Sequence, residues 1–347
     1  MTSNDLKKAG IKLGQGWRLN TALTGEAVLV QKVARDKRTI RWYAVKNEIT
    51  TAVPAPPPSI AGVSSVVYHE RELLIYFREQ GIAGYGLLNR KEELLVSLDT
   101  NLYRARGFWL DGKEDILYFI REKYSPPWDV LLANLQEHKG GGMKVRRSLL
   151  AYSFRTGTSR LIADFEDGLG SSAVDARSGV FFAKVRRKIL ILDLHSGRIL
   201  KELPEPDMVG ICPTNAGKVM VWGQYSPAAY QIAPDGTRTP SDFKGLAPSF
   251  SSNGKKCAFW DRTGAFYVTG HRGKPEQALL SPAESQLVGE YPRPAVWCPC
   301  GDHLALPLWI ARSGKRFYIA LCALNIRTKT AAFCARNILD FNWQRLY

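Results

Sequence analysis

The chain has 347 residues, of which 45% are hydrophobic, 23% charged and 11% aromatic. That composition excludes a disordered or collagen-like polymer, and the length suffices for one large domain or two ordinary ones with a buried core. Forty-eight Lys and Arg against 32 Asp and Glu leave a formal net charge of +16, the one outlying property.

Short apolar runs with period-two alternation, divided by Gly, Pro, Asn and Asp, recur along the chain and predict strands rather than helices. In chain order they fall into groups of four at 23–54, 64–98, 103–166, 171–204, 207–243, 246–280 and 292–335. The Pro-rich VPAPPPS (53–59) is expected to cross between the first two groups, because the rhythm resumes directly after it. From the third group onward a strand, a Gly turn and a second strand repeat. They read FWLDGKEDILYF (108–119), AVDARSGVFFAKV (173–185), GICPTNAGKVMVW (210–222), PSFSSNGKKCAFW (248–260) and AVWCPCGDHLALPLW (295–309). Four strands about every 40 residues is the signature of a propeller blade.

The third group is too long, and the excess is an insertion at 122–146. Within it Trp128, Leu131, Leu132 and Leu135 follow the i, i+3, i+4, i+7 spacing of an amphipathic helix. Pro126-Pro127 precedes them and Gly140-Gly141-Gly142 ends the run, so a short helix is expected at about 125–143. Residues 340–345 form a strand without a group of its own, expected to pair beside 27–33 as the innermost strand and close a ring. Residues 16–23 compete for that place, which keeps six or eight blades compatible with the pattern. The expected fold is all-β: a single seven-bladed propeller of four-stranded antiparallel blades over 1–347.

PSFSSNGKKCAFW and PAVWCPCGDHLALPLW resemble the P-x-W-S-P-D-G-K-x-L-A-F repeat of TolB-type, WD40-like propellers, and the closing DFNWQRLY (340–347) is similar to the way those propellers end. Asn253 and Cys300 stand where the repeat usually has Asp. The resemblance is strongest in 246–347 and implies architecture more than activity, because this fold hosts many functions.

Placing the charge on such blades concentrates it. With strands named a to d from the centre outward, all b–c loops of a propeller emerge on one face, and these loops hold about two thirds of the +16. The carriers singled out as partner-binding are Arg35, Lys37, Arg38, Lys144, Arg146, Arg147, Arg186, Arg187, Lys188, Arg312, Lys315 and Arg316, with Trp128 from the insertion. A face of this kind attracts an anionic partner.

Enzyme signatures are absent from the linear sequence: no G-x-S-x-G elbow, Walker A loop, G-x-G-x-x-G after a strand or H-E-x-x-H occurs. Cys298-Pro-Cys300 with His303 is a weak metal pattern without a second pair. No cofactor or metal is expected. The apolar runs are too short for a membrane span, the start MTSNDLKKAGIKLGQGW lacks a secretory segment, and the six cysteines read as reduced thiols. Together these give the expectation of a cytoplasmic protein that avoids membranes, and because a closed propeller has no free sheet edge to pair, it is expected to be monomeric outside its complexes.

Three functional classes follow. The first is a non-catalytic interaction module or scaffold whose basic face holds an acidic protein. The second is a nucleic-acid-binding propeller using the same face, with Trp128 or Tyr124 to stack and Trp222, Trp260 and Trp309 at the ends of b strands. The third is a hydrolase or lyase with a site in the central channel.

Overall fold

A computed structural model describes residues 12–19, 27–33, 40–46, 49–52, 66–68, 73–78, 80–86, 89, 91–111, 113–127, 129–130, 144–166, 168–207, 209–214, 217–223, 229–251, 254–269, 274–280, 294–298, 301–312, 316–336 and 338–344. Their strands form seven sheets, and the chain divides into two compact units. One comprises Pro56–Asp207 with Pro234–Gly236, the other Met1–Ala55, Met208–Ala233 and Thr237–Tyr347.

The first of these units holds three antiparallel meanders. The second sheet in chain order is Val66–Tyr68, Leu73–Arg78, Gly81–Gly86 and Glu92–Ser97; the third is Tyr103–Asp111, Ile116–Ser125, Lys144–Ser153 and Thr158–Phe165; the fourth is Leu169–Asp175, Val180–Val185, Lys188–Asp193 and Ile199–Pro204. The third sheet is buried on both faces. Leu117 and Phe119 pack with Ile75, Phe77 and Ile82 of the second sheet, while Tyr118 and Ile120 pack with Phe181 and Ala183 of the fourth. This is why ILYFI reads as a continuous apolar run: a strand covered on both sides has no polar face to alternate with. Burying each large side chain there contributes about 1.5–3 kcal/mol.

In the other unit the fifth sheet is Val209–Pro213, Val219–Gly223, Ala229–Ile232 and Arg238–Pro240. The sixth contains Leu246–Phe250, Cys257–Trp260, Ala265–Thr269 and Pro275–Leu280; the seventh contains Val296–Trp297, His303–Arg312, Arg316–Asn325 and Thr330–Arg336. The first sheet joins Ala27–Val33, Ile40–Lys46 and Ile49–Ala52 to the C-terminal strand Ile338–Gln344. That strand pairs antiparallel with Ala27–Val33, from Ala27 opposite Gln344 to Lys32 opposite Ile338, as the leftover terminal segment required.

Residues 16–23, the competing candidate, do something else. Lys12–Leu13 adds antiparallel to Pro275–Leu280, and Arg18–Leu19 adds parallel to Thr330–Arg336, so a short N-terminal strap lies along the edges of the sixth and seventh sheets. Gly14 allows the approach, since a Cβ there would sit 1.6 Å from the Gln277 carbonyl oxygen. Trp17 is buried in the core of these two sheets with Trp260, Phe266 and Leu304. Edge strands left bare invite foreign pairing, and the chain covers others too. The Leu194–Gly197 turn of the fourth sheet sits on Thr158–Phe165, with Arg160 donating to the carbonyls of Leu194 and His195, both at 2.9 Å. Gly197, at φ 73°, lies so close that a Cβ would be 2.0 Å from the Ile162 carbonyl oxygen.

The insertion leaves the third sheet between its second and third strands, the b–c position expected. Those strands reach further than the sequence suggested: Ser125 pairs Lys144, so strand replaces loop at both ends of 122–146. Of the stretch 125–143 expected to be helical, Ser125 ends a strand and Pro126 and Pro127 are not helical, Asp129 and Val130 are helical and exposed, and Trp128 and residues 131–143 lie outside the described residues. No helix among the described residues is long and apolar enough to cross a membrane.

Candidate basic interface

The register of the third sheet brings Tyr103, Ser125, Lys144 and Phe165 to one end. Cations gather there on three adjacent strands: Arg104 and Arg106, Arg121 and Lys123, then Lys144, Arg146 and Arg147, against Glu122 and Asp164. Strand alternation sorts them by side. Glu122, Tyr124 and Arg147 continue the Tyr118, Ile120 and Leu149 side that packs on the fourth sheet, whereas Arg121 and Lys123 continue the Phe119 side toward the second.

Glu122 is the centre of the buried arrangement. Arg106 Nε lies 2.9 Å and Arg147 Nε 2.7 Å from Glu122 Oε1, while the Tyr124 hydroxyl donates to Oε2 at 2.9 Å. The Leu169 carbonyl, at the start of the fourth sheet, accepts from Arg147 Nη1 at 3.0 Å and from Arg106 Nη2 at 3.4 Å. Burial and the bond to Glu122 push the Tyr124 phenol up to about 12, so it stays a protonated donor. Burial also draws the Arg104 and Arg106 guanidiniums below their usual range. Beside them Arg104 lies over the Phe77 ring at 5.5 Å, and Arg121 over Tyr103 at 5.0 Å.

The fourth sheet continues this end, since Leu169 pairs Val185 and a two-residue turn joins Val185 to Lys188. Arg186 takes φ 51° in that turn, and Arg186 and Arg187 are both exposed. Lys184, one residue before Val185, is buried and donates to the Glu205 carbonyl.

The sequence-predicted carriers therefore have different fates. Lys144, Arg146 and Arg147 are strand residues, not loop residues, and the strand's own pairing explains why: the ladder continues to Ser125. Arg147 anchors Glu122, Arg146 pairs Asp164 at 3.4 Å and Lys188 pairs Glu202 at 2.6 Å, so these three already carry carboxylate partners. Lys144 and Arg187 are exposed with no ion pair among the described residues. In the other unit Arg312 and Arg316 are direct ladder partners. Arg35, Lys37, Arg38, Trp128 and Lys315 lie outside the described residues.

Arg104 and Arg106 escaped the sequence reading, which counted charge in loops only; Glu122, Lys123 and Tyr124 fell within the 122–146 insertion, Tyr124 as a stacking candidate, but none was expected to pair with the cations. The available signal was charge inside strands, in YRARG and IREKY, where a covered strand ordinarily has none. The stacking role considered for tryptophans fails for Trp260, which is 4% exposed and packs on Phe266 at 4.9 Å between centroids. Trp222 instead covers Gly210. Cys298 is buried and the His303 ring lies 3.0 Å from Asn325 Nδ2. No group of His, Cys, Asp and Glu among the described residues is arranged to hold a metal ion.

Neither the known family models nor the curated protein sequences match the chain. Solved structures do. An oligogalacturonate lyase in complex with manganese is 12% identical over 92% of each chain, with a TM-score of 0.60. A putative 6-phosphogluconolactonase from Bacteroides uniformis is 12% identical over 94% of this chain and 100% of its own, with a TM-score of 0.51. TolB from Acinetobacter baumannii is 12% identical over 100% of this chain and 86% of its own, at a TM-score of 0.49. At such identities the likeness concerns the fold alone. The chain is thus an all-β protein with the β-propeller fold, the architecture expected from the strand repeat in its sequence.

Proposed function

We propose that the chain is a non-catalytic interaction module that holds an acidic protein partner through the basic end of its third and fourth sheets. The observation that carries this reading is the excess of Arg and Lys on three adjacent strand ends of the third sheet over Glu122 on the same strands and Asp164 on the fourth strand, continued by Arg186 and Arg187. Such an excess raises the encounter rate with an anionic surface and orients it on arrival. A nucleic acid is the competing occupant. It presents evenly spaced phosphates and gains from an unbroken track of cations, whereas Arg146 and Lys188 are engaged by Asp164 and Glu202. We place the protein in the cytoplasm, a reading supported by Cys212 and Cys257, which are free thiols.

The test is fluorescence anisotropy of the full chain with a labelled poly-glutamate peptide and a labelled single-stranded oligonucleotide of equal charge, each across a salt series. The reading expects the peptide to bind more tightly at physiological salt. It also expects Lys144→Glu with Arg187→Glu to weaken peptide binding. An unchanged affinity in that double variant, or preferential capture of the oligonucleotide, overturns it.

A further inference from the structure

Within the basic end, Arg106 and Arg147 are held differently from their neighbours. Arg147 Nε donates to Oε1 of buried Glu122 at 2.7 Å, Arg106 forms an ion pair with the same oxygen at 2.9 Å, and both guanidiniums donate to the Leu169 carbonyl. Each guanidinium is thereby pinned at two points by groups from both sheets. Arg106 Nη1 and Arg147 Nη2 have no partner among the described residues, and the two side chains are 43% and 22% exposed. Two guanidiniums on one carboxylate leave a residual single positive charge, with the Arg104 guanidinium nearby to bias it further.

A clamp whose only task was to neutralise Glu122 would need one arginine. The second brings an uncompensated charge and spare N–H donors to a half-exposed position, already oriented. Preorganised donors lose less side-chain entropy on binding than free ones do. Guanidinium edges match planar oxyanions such as carboxylates in geometry.

We propose that Arg106 and Arg147, held by Glu122, Tyr124 and the Leu169 carbonyl, form a seat for one carboxylate group of the acidic protein partner. The proposal rests on the interaction-module reading and makes it specific. The residual charge is that of one monoanion, and the flanking cations Arg146 and Lys188 already hold Asp164 and Glu202. That arrangement suits a single inserted Asp or Glu side chain better than a run of phosphates. Glu122 is both the scaffold of the seat and the built-in competitor of its ligand.

The same anisotropy assay with the labelled poly-glutamate peptide tests it on the full-length chain. Arg106→Gln leaves Glu122 with Arg147 and Tyr124, and is expected to weaken peptide binding by about tenfold or more, the effect of one charge-assisted pair. Arg106→Lys keeps the charge but not the planar fork, so its affinity is expected to stay nearer that of Arg106→Gln than of the wild type. Glu122→Gln removes the competitor and is expected to tighten binding several-fold, an outcome a purely structural role does not produce. Circular dichroism confirms the fold of each variant; should Glu122→Gln fail to fold, the two Arg106 variants decide. A folded Arg106→Gln that binds like the wild type overturns the seat. If Lys144→Glu with Arg187→Glu then still weakens binding, the basic interface survives without it, and if neither does, both readings fall.

Discussion

Asp302 holds the sixth and seventh sheets together, and removing it should cost more stability than removing either of its cations. Lys256, just before the strand Cys257–Trp260, has a side chain only 9% exposed. Its Nζ donates to the Gly301 carbonyl at 3.1 Å and to Asp302 Oδ1 at 2.9 Å. Asp302 is itself 22% exposed and also accepts from Arg327 Nε at 3.0 Å, whereas Arg327 is 76% exposed. Asp302→Ala strands a buried ammonium beside one carbonyl, for which about 3 kcal/mol is expected. Lys256→Met leaves the carboxylate half-solvated and held by Arg327, at about 1–2 kcal/mol. Arg327→Ala removes an exposed partner, at under about 1 kcal/mol.

Urea denaturation followed by tryptophan fluorescence gives these differences from the midpoints. The order Asp302→Ala, then Lys256→Met, then Arg327→Ala is the diagnostic result. The reasoning fails if Arg327→Ala costs as much as Asp302→Ala, or if Asp302→Ala costs less than about 1 kcal/mol.

The same contact has a pH signature. Arg327 and Lys256 hold the Asp302 carboxyl down to about 2, below its unfolded value near 3.9. A depressed carboxylate pKa means that the stabilisation is complete above about pH 4 and is lost as pH falls toward 2. The gap in urea midpoint between wild type and Asp302→Asn should therefore narrow across that window and be constant at neutral pH.

Three further outcomes are expected. Gly197→Ala combines a left-handed φ of 73° with a Cβ 2.0 Å from the Ile162 carbonyl oxygen, whereas Gly179 has φ 67° and nothing within 4 Å. The first should therefore destabilise by about 2 kcal/mol more than Gly179→Ala by urea midpoint, and equal costs would deny the close approach. Trp17→Ala should cost about 3 kcal/mol and speed amide exchange in Pro275–Leu280 and Thr330–Arg336, which the strap covers; unaltered exchange there would mean that the strap does not protect those edges. Tyr124→Phe removes one donor to Glu122, at about 1 kcal/mol. Because its phenol is raised to about 12, that contribution should persist through neutral pH and fade only above about pH 10, where the unfolded tyrosine begins to ionise.

Local pattern was enough to place the strands. A strand that must bury one or both faces has to show alternation or a continuous apolar run, and Gly179, Gly217, Gly254 and Gly301 mark the turns between paired strands at positive φ. Hence the boundaries of the fourth sheet, 171–204 expected and Leu169–Pro204 observed, agree within two residues. The pairing of Ile338–Gln344 with Ala27–Val33 was legible too, because one strand was left over at one end of the chain and one place was open at the other. Residues 12–19 were not readable in this way. Two-residue strands carry no period, and their partners Pro275–Leu280 and Thr330–Arg336 are hundreds of residues away along the chain.

The +16 charge shows the same division. Composition and spacing determined that cations are in excess and that many fall near b–c turns, since both are properties of sequence order. Whether a given cation is available depends on which acid reaches it across the ladder, and that is a property of register and inter-sheet contact. Arg147 stands opposite Glu122 across 25 residues of chain, and Arg106 reaches the same carboxylate from a different strand. Only the folded arrangement shows that Arg147 is an anchor, that Arg146 and Lys188 are paired, and that Lys144 and Arg187 are left exposed. The sequence by itself determined the repeating sheets and the surplus of positive charge; tertiary pairing decided where that surplus remains unpaired, because Coulomb interactions depend on distance in space and not on order along the chain.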